Sequence, residues 1–118
     1  MKRWFRLRPR RLKAKAFAQD WHDLQEHCRS RKTWPLAITK ADALLERALK
    51  ARGYKGKTTG ERLVAAQHEL SNNENVWFAH KLSQKIGTQD VRKLKKQDVL
   101  TALSGVRQAL RDLGALES

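Results

Sequence analysis

The sequence predicts an all-α domain, an antiparallel up-and-down bundle of four to five helices. Apolar residues recur every three or four positions in several separate stretches, the period of a helix with one buried face. Gly, Pro, Ser, Thr and Asn gather between those stretches, where caps and turns belong. No alternating Val/Ile/Thr-rich run is long enough to make a convincing strand.

Residues 1–11, "MKRWFRLRPRR", form a basic arm ahead of the first helix. From Met1 to Lys15 there are eight Lys or Arg and no acid; the first acid is Asp20. Self-repulsion and Pro9 predict an extended or poorly ordered segment, ordered on binding. Residues 12–118 then make a single domain. A chain of 118 residues can bury a core without cross-links, since about two thirds of its unfolded surface leaves water.

Ala14, Phe17, Trp21, Leu24 and Cys28 are spaced three and four apart and predict a helix over residues 12–29. "SRKTWP" breaks it. Thr33 is the expected N-cap of a second helix, with Pro35 early in it and Ile38, Ala41, Leu45, Ala48 and Leu49 as its buried stripe. Gly53 is the expected stop. After the loop "GYKGKTTG", Thr58 or Thr59 caps a third helix reaching about Leu70, with Leu63, Val64, Ala66 and Leu70 inward. "SNNEN" turns the chain into a fourth helix, residues 74–86, carrying Val76, Trp77, Ala79, Leu82 and Ile86 and ending at Gly87. Val99, Leu103, Val106, Leu110 and Leu113 mark a final helix closed by Gly114. Trp21, Trp34 and Trp77 fall in or beside the core; Trp4 stands outside every stripe.

The formal net charge of +14 favours polyanions: nucleic acid, anionic lipid or an acidic protein. The plainer reading is solubility through like-charge repulsion. Two groups carry the candidate contacts. In the arm they are Arg3, Trp4, Arg6, Arg8, Arg10 and Arg11, where Arg engages phosphate and an aromatic ring stacks on bases or lies at a headgroup surface. Farther on they are Lys81, Lys85, Arg92 and Lys93, continued by Lys95 and Lys96. The alternative for this second group is a solvated loop. A transit peptide also fits an Arg-rich, acid-poor start, but no Ser or Thr precedes Ser30.

Other chemistry is poorly supplied. Cys28 is the single cysteine, so no disulfide closes within the chain, and a reducing, cytoplasmic setting is expected. His22 and His27 are five apart and share no helical face, and no Cys/His cluster has metal-ligand spacing. "GYKGKTTG" lacks P-loop spacing and follows no strand. Neither a metal nor a cofactor is expected. No apolar run approaches the roughly 18 residues that span a bilayer.

Three stretches carry a family resemblance: "WPLAITKADALLERALKARGYKGKTTGERL" (34–63), "VWFAHKLSQKI" (76–86) and "ALRDLGAL" (109–116). Together they resemble a family of small all-helical domains, mostly in uncharacterised bacterial proteins, that look like relatives of the HEPN superfamily. The resemblance covers about the last two thirds of the chain. The family's commoner form continues from Ala-His-Lys to Arg-Asn and, a few positions on, to a second His. In HEPN ribonucleases an Arg, a polar residue and that His compose the RNA-cleaving site. The matching positions here are Ser83, Gln84 and Thr88, with Gly87 where Ala is usual.

Metal-independent RNA cleavage needs a group that moves protons near neutral pH and a cation beside the phosphate. Ser, Gln and Thr supply neither. His80 survives, and the resemblance places it in the packed helix beside Trp77, as a structural histidine. Arg62 and His68 repeat the bare spacing of such a motif but lie in the third helix, not the fourth. The expectation is therefore a non-catalytic, HEPN-like module that contacts a polyanion, RNA before others. Two alternatives stay open: a protein-interaction or membrane-surface module, and a ribonuclease with an atypical site. HEPN-like domains often pair, so a homodimer is a further expected partner state.

Overall fold

The computed structural model describes residues 12–89 and 93–117. Among them the chain forms five α-helices and no strand: α1 (Ala14–Gln25), α2 (Trp34–Arg52), α3 (Thr59–Ala66), α4 (Asn73–Thr88) and α5 (Lys96–Asp112). Two 3-10 turns, Glu26–Arg29 and Arg31–Thr33, join α1 to α2. The all-α helical bundle expected from periodicity is the observed fold.

Cross-contacts fix how neighbouring helices run. Asp20 in α1 accepts from Arg47 in α2 at 2.7 Å, and the Arg47 guanidinium lies 5.3 Å from the Phe17 ring. The start of α1 therefore meets the end of α2, so the pair is antiparallel. Ser71, ahead of α4, donates both its backbone N–H and its hydroxyl to Asp112 at the end of α5, each at 2.8 Å. That makes α4 and α5 antiparallel as well. Gly105 explains how closely they approach: a Cβ there would lie 2.7 Å from the backbone carbonyl of Asn75. α3 is tied to α2 by Thr59, whose hydroxyl donates to Glu46 at 2.8 Å.

The helices share one core. Ile38, Leu45, Leu49, Leu63, Val76, Val106, Leu110 and Leu113 are each buried almost completely. Each contributes roughly 1.5–3 kcal/mol by leaving water. Phe17, Trp21 and Leu24 bring α1 into the same cluster, and Trp34 and Trp77 pack on its edge.

Several boundaries differ from the expectation. The first helix does not stay α-helical to residue 29; after Gln25 it tightens into a 3-10 turn, and Cys28 is only half-buried. Thr33 stands at the N-cap of α2 but makes no capping bond; its hydroxyl donates backwards to the His27 carbonyl at 2.6 Å. Trp34 reinforces that turn, its indole N–H donating to the Cys28 carbonyl at 2.8 Å. α3 ends at Ala66, four residues short of Leu70, where the Asn73 side chain takes up the carbonyls of Gln67 and Leu70. Val64 consequently faces solvent at 54% exposure rather than the core. α4 runs through Gly87 to Thr88 instead of stopping at it.

The caps that do form are local and polar. Thr58 accepts from the Glu61 N–H at 3.1 Å, while the Glu61 carboxylate accepts from the Lys57 N–H at 2.8 Å. Asn72 accepts from the Asn75 N–H at 3.1 Å to start α4. Gly53 takes φ of 99° and Gly114 φ of 78°, the left-handed turns that close α2 and α5.

Candidate polyanion surface on α4

α4 presents two chemically distinct faces. Helical geometry alternates them every three to four residues. Val76, Ala79, His80 and Ser83 point inward and are buried, while Lys81, Gln84 and Lys85 are exposed.

The inward face is held by a polar contact. His80 Nδ1 lies 3.0 Å from Asp42 Oδ1 on α2, and Trp77 sits edge-on to the imidazole with ring centroids 6.0 Å apart. His80 is 7% exposed. A ring so enclosed, with one nitrogen already given to a carboxylate, is a cross-link between α2 and α4. Ser83, one turn along, is buried on the same face. Gln84 is solvent-facing, and Thr88 turns its hydroxyl back to the Gln84 carbonyl at 2.9 Å. The positions that would carry the cleaving residues of an HEPN ribonuclease thus divide between core and surface. Gly87 has nothing within 4 Å of where a Cβ would stand.

Arg62 and His68 do not form a second site. Arg62 sits 3.6 Å from Glu46 of α2, while His68 is exposed past the end of α3 and lies edge-on to Tyr54. Beside them is a polar cluster that sequence reasoning missed. Glu69 accepts from both Arg52 and Tyr54. Burial first, then the hydrogen bond to Glu69 and its negative charge, push the Tyr54 phenol up to about 12, with Arg52 acting in the opposite direction. No spacing rule marks this cluster, because its members come from α2, the following loop and the turn after α3.

Of the candidate contacts, Lys81 and Lys85 are one turn apart on the outer face of α4, and Lys93 is exposed in the segment leading to α5. None of the three has an ion pair among the described residues. The nearby acids are engaged elsewhere: Asp42 with His80, Glu46 with Thr59 and Arg62, Glu69 with Arg52 and Tyr54. Arg92 lies outside the described residues, as do Arg3, Trp4, Arg6, Arg8, Arg10 and Arg11.

No family model, curated protein or solved structure matches the chain. The chemistry of the site therefore rests on its own residues. Among the described residues, no three His, Cys, Asp or Glu side chains gather in a group able to hold a metal ion. Burial raises the Cys28 thiol, which lowers its thiolate fraction and its value as a nucleophile. Among the same residues, no helix is long and apolar enough to cross a membrane.

Proposed function

We propose that this chain is a non-catalytic, HEPN-like helical module of the bacterial cytoplasm that binds a polyanion, RNA foremost. One observation carries the reading: Lys81, Lys85 and Lys93 are exposed and lack acidic partners among the described residues, in a chain of formal net charge +14. Residues 81–96 contain six Lys or Arg against one acid, Asp90. A phosphate backbone neutralises such a strip and releases its own counterions in doing so. The enclosed His80 and the Ser83, Gln84 and Thr88 positions support binding without cleavage. The arm, with Arg3, Arg6, Arg8, Arg10 and Arg11, and with Trp4 for stacking, would extend the contact.

The test is a mobility-shift titration with single-stranded RNA over a range of salt. Binding at low salt that falls steeply as salt rises is expected. Replacing Lys81, Lys85 and Lys93 together by Gln should flatten the log–log salt slope by about 2, since each neutralised phosphate of a single strand accounts for about 0.7 of it. Absence of binding at low salt would sink the RNA reading, and shortening of the RNA during incubation would sink the non-catalytic one. Liposome sedimentation dependent on anionic lipid, with no RNA binding, would move the surface to a membrane.

A further inference from the structure

We propose that the groove between α1 and α5 docks an acidic amphipathic helix of another protein. The groove encloses about 320 Å³, with Trp21, Leu24, Trp34, Val99 and Leu103 among its walls and Leu100, 51% exposed, at its lip. Its lining includes two cations, Lys96 and Arg107, and no acid. The wall is braced by the Trp34–Cys28 hydrogen bond of 2.8 Å, and Arg31 sets a further cation 5.1 Å from the Trp34 ring. This surface is separate from the outer face of α4 and does not depend on the RNA reading.

Length and charge select the occupant. Lys96 and Arg107 are both on α5, and their separation spans three helical turns, about 16 Å. The groove is thus cationic at both ends and apolar between them. A single-headed amphiphile such as a fatty acid would satisfy one end only. A helix with an apolar stripe of about three turns and an acid at either end satisfies both. Ser104, small and exposed beside Leu103, allows its backbone close. A second copy is disfavoured, because each chain carries a formal +14. Residues 1–11 contain six Lys or Arg and no acid, the same sign as the groove's ends.

The test uses the full chain and a labelled synthetic peptide of about five turns, with Leu at i, i+4 and i+7 flanked by Glu. Its control is a scrambled isomer of identical composition. Anisotropy titrations should show the patterned peptide binding at least about tenfold tighter than the isomer. Leu100→Ser, at a half-exposed position that leaves folding intact, should erase that preference. Lys96→Glu with Arg107→Glu should shift preference to a peptide flanked by Lys instead. Equal binding of the scrambled isomer overturns the proposal. So does a dimer seen by light scattering that Leu100→Ser dissolves. So does tighter peptide binding after Trp4→Ala with Phe5→Ala, which would assign the groove to the chain's own arm.

Discussion

His80 occupies a position where a histidine is easily mistaken for a catalyst. It lies on the helix that carries the family resemblance, near a serine and several cations, and its Nδ1 faces a carboxylate. Burial decides the matter in favour of structure: 7% of the residue is exposed, and the carboxylate belongs to the neighbouring helix. His80→Ala should cost about 2–3 kcal/mol in urea unfolding, since it leaves Asp42 without its partner. His80→Ala combined with Asp42→Ala should cost less than the sum of the two single changes. Tyr54 offers a cleaner readout, because it is the chain's one tyrosine. Its phenolate should appear in a spectrophotometric titration near pH 12. Replacing Glu69 by Gln should lower that midpoint. The folded phenol holds its proton above the ordinary value of about 10. Its contribution to stability is therefore complete below about pH 10 and lost as pH rises from there toward 12.

At the scale of elements, two glycines inside helices have opposite meanings. Gly105 is pressed against the Asn75 backbone, so a Cβ there has no room. Gly105→Ala should destabilise by about 1–3 kcal/mol despite the better helix propensity of Ala, through overpacking at the α4–α5 contact. Gly87 faces open space within α4. Gly87→Ala should stabilise by roughly 0.5–1 kcal/mol. Thermal unfolding of the two variants beside the parent checks both signs. The sequence alone could not separate these glycines, because their difference lies in what crosses over each helix. The same limit explains the other misses. The stripes of Phe17–Trp21–Leu24 and Val106–Leu110–Leu113 were legible because helical period depends only on neighbours along the chain. The end of α3 was not, because Asn73 stops it from beyond the turn. Val64, placed inward by its period, faces water. The groove on α5 was invisible for a related reason: Leu100 belongs to no buried stripe, and only the approach of α1 gives it a facing wall.

At the scale of the whole molecule, charge is organised by depth. Asp42, Glu46 and Glu69 bind inward and hold helices together, while Lys81, Lys85 and Lys93 are left outside. The candidate site was legible in the sequence only as a surplus of cations. Which of them lack an acid partner became visible once the helices were assembled. The exposed ion pair between Asp20 and Arg47 adds at most about 1 kcal/mol and does little to balance the surplus. The folded chain should therefore repel itself. Raising ionic strength should increase its melting temperature as the screening length shortens to about 8 Å. The same change should weaken RNA binding. Opposite salt responses of folding and binding, measured on one preparation, would separate this account from one in which the cations are internally compensated.

The inward placement of these acids has a thermodynamic corollary. A ligand of high negative charge supplies the counterions that the fold does not provide for itself. In dilute buffer, RNA would thus act as a folding chaperone by mass action, raising the population of the native state in proportion to its occupancy. The protein's persistence and its cargo would be linked through one electrostatic term.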